Sequence, residues 1–151
     1  MARVEPKQAE QTDERGGFQT FQVRPQLLKS GKQVTELAGD DLLKATVLVA
    51  DSGGETVVHS HQAMDQIFFV LSGQATFYKN LDDVVAVIGP MEGIMVPRGT
   101  TYWYEKTSDE NLVLFRAAAI DPNAEHVSPR FSDQLRPRVE PQTIVGKFFG
   151  S

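Results

Sequence analysis

The stretch "GGETVVHSHQAMDQIFFVLSG", residues 53–73, decides how the chain is read. It sets two histidines, His59 and His61, one residue apart, then runs into an apolar segment that closes on a glycine. In an extended chain the side chains at i and i+2 share a face, so the pair presents two imidazoles side by side. Imidazole is the commonest protein ligand for metals near neutral pH. Such a site usually wants an acid as well, and the stretch offers two neighbours of different chemistry, Asp65 and Gln66. Adjacent strand residues point to opposite faces, so only one of the two shares the inner face with the histidines.

The surroundings of this stretch are strand-like. From Leu42 onward, "LLKATVLVA", "ETVVHSH", "QIFFVLSG", "QATFYKN", "VVAVIG", "GIMVP", "TTYWYEK" and "NLVLFRAAAI" are short and rich in Val, Ile, Phe, Thr and Tyr. They are punctuated by "DSGG", "SG", "NLDD", "GP", "PRG" and "SDE". Short strands separated by turn chemistry at roughly 8–12-residue spacing predict an all-β sandwich or barrel. Runs such as "VVAVI" are apolar on both faces, which suits strands buried between two sheets. Outside this region the chain changes character. Residues 1–20 are polar and charged, and predict a mobile arm. "FQTFQV" predicts a short strand over 18–23, which Pro25 ends. The segment 120–151 holds four of the eight prolines, which no continuous strand or long helix accommodates. It is expected to wrap the barrel or a partner subunit, with "FSDQL" as a single helical turn and "TIVGKFF" as a docked or intersubunit strand. The domain organisation is therefore an arm over 1–20, a barrel over 21–119 and a wrapping segment over 120–151.

Composition narrows the function. Among 151 residues there is no cysteine, which removes disulfides, thiolate metal sites and cysteine nucleophiles. A net charge of −5, from 20 acidic and 15 basic residues, disfavours binding to a phosphate backbone, so nucleic acid is not an expected partner. No apolar run approaches the roughly 18 residues of a membrane span, and the polar start carries no secretory core. A cytoplasmic protein that keeps off membranes is expected.

Residues 53–73 resemble the first conserved motif of the cupin superfamily. Gly53, His59, His61 and Gly73 stand at matching places, and counting back from Gly73 puts Gln66, not Asp65, at the position of the family's glutamate. The second motif is matched by "MEGIMVPRGTTYWYE": Pro97 and Gly99 align, Met91 replaces the leading glycine, and Tyr102 stands where the family has its third histidine. The resemblance implies a double-stranded β-helix, or jelly-roll, barrel and one divalent metal ion, with zinc, iron, nickel and manganese not distinguished. It implies His59, His61, Gln66 and Tyr102 as the ligand set, and a homodimer.

That ligand set has consequences. Two histidines and a neutral amide leave a dication un-neutralised, which makes it a stronger Lewis acid toward bound water or phenol. Tyr102 is then a candidate ligand and catalytic acid or base, and Phe68, Val70 and Tyr104 are candidate pocket walls. If Asp65 faces inward instead, the set becomes a two-histidine, one-carboxylate triad of the kind used by non-heme iron oxygenases. Three functions follow as expectations. The first is Lewis acid chemistry on a small, aromatic or polyketide-like molecule, of cyclase, isomerase or lyase type. The second is non-catalytic binding or sensing of a small molecule, and the third is an iron dioxygenase. His126 is a remote candidate ligand. Arg98 reads as a solvated turn residue. Arg116, a charge within an apolar strand, reads as half of a structural ion pair, with an anionic substrate as its alternative partner.

Overall fold

The computed structural model describes residues 17–124 and the backbone of a strand at 143–147. Nine strands follow in order: β1 Lys32–Gly39, β2 Leu43–Ala50, β3 Met64–Ser72, β4 Ala75–Lys79, β5 Asp83–Ile88, β6 Gly93–Val96, β7 Trp103–Lys106, β8 Leu112–Ile120 and β9 Thr143–Lys147. Among the described residues there is no helix. Six strands form one sheet in the order β6-β3-β8-β2-β1-β9, and three form the other in the order β5-β4-β7. All neighbours are antiparallel except β1 and β9, which run parallel. This all-β architecture is what the strand spacing predicts, and its jelly-roll form is what the resemblance implies.

Alternation along each strand separates two apolar layers. Leu48 and Ala50 of β2, Phe68 and Val70 of β3, Phe77 of β4, and Leu112 and Leu114 of β8 point between the sheets and form the core. Val47, Val49 and Val113 point the other way, where Leu37 joins them and Val23, Leu28 and Phe115 pack against them. The segment before β1 thus covers part of the outer face of the large sheet. Gly73, which ends β3, has φ +81°, and a Cβ there would collide with the backbone carbonyl of Asn111. Only glycine suits that turn, which is why it is a dependable register mark.

Three local expectations are corrected. Residues 18–23 form no strand. Gln19 instead meets Gly39 through its side chain, donating to the carbonyl at 2.9 Å and accepting from the amide at 2.8 Å, and Phe21 stacks on Phe115. A side-chain amide here makes the contacts a ladder would have made. "ETVVHSH" is a bridge and loop, not a strand: His59 pairs with Tyr102 alone, and the Thr56 hydroxyl, not its backbone, accepts from the Tyr104 amide. The apolar run of β5 is not buried on both faces. Val84, Val85 and Val87 are exposed, because β5 is the edge of the smaller sheet.

Of the terminal segments, "TIVGK" pairs with β1 of its own chain, Lys32 opposite Thr143 through Glu36 opposite Lys147. Residues 1–16 of the arm, and residues 125–142 with His126 and "FSDQL", lie outside the described residues.

Candidate functional site

One end of the barrel is filled by the apolar core, and polar side chains gather at the other. His59 arrives on the loop before β3, held by two backbone hydrogen bonds with Tyr102: its amide donates at 3.0 Å and its carbonyl accepts at 2.9 Å. The His61 carbonyl accepts from Gly99 at 2.8 Å, which ties the same loop to the "PRG" turn. The two imidazoles meet edge to face with ring centres 4.9 Å apart, and Tyr102 lies 4.5 Å from His59 and 6.3 Å from His61. The histidines are neighbours, as the i, i+2 spacing requires, although no regular strand carries them.

Gln66 and Asp65 separate as strand alternation demands. Gln66 shares its parity on β3 with Phe68 and Val70 and is 1% exposed. Asp65 faces outward, accepting from the Arg98 backbone at 2.9 Å and pairing with its guanidinium at 3.4 Å. The Arg98 contacts hold the Asp65 carboxyl below its ordinary value, the backbone hydrogen bond most of all. Arg98 also reaches Asp121 at 3.1 Å, so this exposed turn residue additionally clamps two acids. Asp65 therefore does not stand with the histidines, and the triad that would contain it is not assembled.

The inner polar groups form a chain. Arg116 donates from NH1 to Gln66 Oε1 at 3.2 Å, and Gln66 Nε2 donates to the Tyr102 hydroxyl at 3.1 Å. The chemistry fixes the amide orientation: a guanidinium only donates, so the group facing it must be the oxygen. Burial pushes the Tyr102 phenol up to about 12, partly offset by the Gln66 hydrogen bond and the Arg116 charge, so the hydroxyl is neutral at ordinary pH. Burial also raises the Tyr104 phenol, with the Tyr102 charge adding to the shift. Tyr104 stacks parallel to Tyr102 at 6.5 Å and against Phe77 at 4.8 Å. With Phe68 and Val70 it belongs to the packed core beneath the polar end. Met95 points outward.

The metal expectation can be set against this donor chemistry. His59 Nδ1 lies 2.6 Å from the Val57 carbonyl, so Nδ1 carries a ring proton and Nε2 is the nitrogen that would meet a metal, as in many metal-binding histidines. The other two expected ligands are directed differently. Gln66 gives its oxygen to Arg116, and the Tyr102 hydroxyl accepts from Gln66 Nε2. Among the described residues no three histidine, cysteine, aspartate or glutamate side chains gather where they would share a metal ion. Among the described residues a dication here would meet no carboxylate, and a guanidinium would stand nearby. The described residues fit a metal ion at two positions and do not by themselves make a four-ligand protein centre.

Among the described residues Arg116 has no acidic partner, so the structural ion pair expected of it is not seen there, and its alternative reading stays open. Arg116 follows Leu112 and Leu114 at the inward parity of β8, opposite Phe68 on β3 and Thr46 on β2. That parity was the available signal, since an apolar strand's inward positions are set by its leucines.

Comparison with known proteins agrees with this architecture. The family model described as "Cupin domain" matches residues 46–118. No curated protein matches the chain by sequence. Among solved structures, a conserved protein with a double-stranded β-helix domain from Klebsiella pneumoniae is similar at 16% identity and TM-score 0.60, covering 73% of this chain and 85% of that one. The Cnp3 cupin domain of Schizosaccharomyces pombe is similar at 21% identity and TM-score 0.53, covering 58% and 64%. KdgF from Halomonas sp. is similar at 21% identity and TM-score 0.52, covering 60% and 81%. At these identities the structures speak for the fold alone. Both sequence motifs and strands β3–β7 lie within the matched region, and the chain carries a cupin domain over residues 46–118.

Proposed function

We propose that the protein binds a small molecule at the polar end of its barrel, against His59, His61 and Tyr102. The observation that carries this is the chain that runs from half-buried Arg116 through buried Gln66 to Tyr102, packed against the apolar core. Buried polar groups cost stability relative to well-packed apolar ones, and a jelly roll needs none of them to close. Their clustering beside two imidazoles supports a site kept for recognition. In this reading Tyr102 gives a proton to a bound molecule, and His59 Nε2 accepts one. The test is ligand-observed NMR with a library of small aromatic and aliphatic compounds on the full chain and on a His59→Ala/His61→Ala variant. Compounds that bind the wild type and lose binding in the variant support the reading. A library in which no compound distinguishes the two proteins overturns it.

The Val57 contact favours a second reading, a divalent metal ion on His59 and His61, with Lewis acid chemistry of cyclase, isomerase or lyase type. Elemental analysis of protein purified without chelators decides it: one equivalent of zinc, iron, nickel or manganese lost on removing the histidines supports it, and no metal retires it. Pairing of two copies belongs to the same proposal. Ile67 of β3 and Met95 of β6 are register partners, both exposed on the outer face of the large sheet, with Leu71 further along β3. Light scattering at micromolar concentration checks for the homodimer.

Among the described residues no helix is long and apolar enough to cross a membrane.

A further inference from the structure

Arg116 is a cation placed inside the barrel with no fixed counter-charge among the described residues. Its NH1 donates to the neutral amide of Gln66, and its Nε is sealed from solvent without an acceptor. Ion pairs join Arg98 to Asp65 and Asp121, and Lys106 to Asp51, and none of these includes Arg116. The nearest acid by register is Glu36, which shares the inward row of Arg116 but lies two strands away across Thr46, about 10 Å between backbones.

A guanidinium in this place is costly. Arg116 is half-buried, so its guanidinium is partly withdrawn from water, with Nε fully so; a partner of opposite charge and good geometry offsets that cost, and a leucine at this position of β8 would not incur it. A neutral amide is half of what a guanidinium normally meets inside a protein. The missing half has a defined chemistry: acceptor-only, negatively charged, and small enough to sit between the guanidinium and the imidazole pair.

We propose that Arg116 makes the polar end of the barrel a receptor for a compact organic anion, whose carboxylate or phosphate oxygens meet the guanidinium while its body lies against His59, His61 and Tyr102. This rests on the small-molecule reading above and adds the charge of the ligand to it. Gln66 is the positioning residue: by taking NH1 it fixes the guanidinium plane, and by donating to Tyr102 it leaves the phenolic proton free to point at a bound acceptor. Arg116 is thus a specificity-determining residue that separates acids from their neutral analogues.

The test is titration calorimetry on the full chain with three probes of one shape: benzoate, phenyl phosphate and benzamide. At least one anion is expected to bind about tenfold or more tightly than benzamide. Arg116→Gln is expected to shrink that preference to about threefold or less, and Arg116→Lys to keep part of it. Glu36→Gln is expected to leave anion binding unchanged or tighter. Preference for benzoate over phenyl phosphate assigns a carboxylate, and the reverse a phosphate. If benzamide binds the wild type as tightly as both anions, the inference fails and the small-molecule reading stands. If none of the three binds, and the library screen is also empty, both fall. Should Arg116→Gln not fold, the wild-type preference together with Arg116→Lys still decides.

Discussion

Replacing Gln66 by glutamate changes one atom of the inner chain and inverts its electrostatics. The oxygen facing Arg116 at 3.2 Å gains a negative charge, and the atom facing Tyr102 at 3.1 Å becomes an acceptor to which the phenol must now donate. Both carboxylate oxygens therefore start with partners in place. The Coulomb attraction at 3.2 Å is about 5 kcal/mol for an effective dielectric near 20. Removing a carboxylate from water costs several kcal/mol, so the two nearly cancel and stability is expected within about 2 kcal/mol of wild type. Binding does not cancel. The new internal anion neutralises Arg116, and an external anion loses a charge-assisted contact of about 1.5–3 kcal/mol, roughly a 10–100-fold weaker Kd. Urea denaturation of Gln66→Glu at pH 7 reads the first quantity, and benzoate or phenyl phosphate calorimetry the second. Loss of more than about 4 kcal/mol would mean that no guanidinium stands close enough to compensate the buried charge. Unchanged anion affinity would mean that Arg116 is not where the anion sits.

Asp51 pairs with Lys106 at 2.9 Å and accepts from Asn111 at 3.0 Å, both ends of the pair mostly buried. The Lys106 hydrogen bond is the largest reason its carboxyl titrates below the ordinary 3.8. That stabilisation is complete above 3.8 and is lost as pH falls through the lower folded value. Asp51→Asn is expected to cost about 2–3 kcal/mol at pH 7 by denaturant titration, with the gap to wild type closing in strong acid. Met91 holds φ +69° at an exposed turn, where the family's second motif has glycine. Met91→Gly is expected to raise stability by about 0.5–1 kcal/mol, and a loss would show that the side chain packs usefully. Gly73→Ala combines a left-handed backbone with a clash on the Asn111 carbonyl, and is expected to cost about 3 kcal/mol by the same titration.

The sequence carried the fold because its two signals agree: short β-branched runs between turn residues, and glycines such as Gly73 that only one turn geometry explains. Counting back from Gly73 placed Gln66 on the inner wall, and the period of two placed Tyr104 beside Tyr102. What stayed hidden depends on contacts that no local pattern encodes. "FQTFQV" alternates like a strand, yet the Gln19 side chain meets Gly39 in place of a ladder. "VVAVI" is apolar enough for a buried strand, yet β5 falls at a sheet edge. Arg116 has the composition of an ion-pair residue, and only the placement of Asp65 outside the barrel, held by Arg98, shows that the acid on the neighbouring strand is not its partner. Gln66 was legible as an inner residue but not in its orientation, because the amide turns on which donor stands across the barrel.

The most direct measurement follows the imidazole resonances of His59 and His61 while the full chain is titrated with whichever of benzoate or phenyl phosphate binds more tightly. Both rings are expected to shift together along one saturable curve, and the same curve in Arg116→Gln to move to about tenfold higher concentration or more. Saturable binding that leaves both histidine rings unmoved would place the ligand elsewhere on the protein and contradict the site.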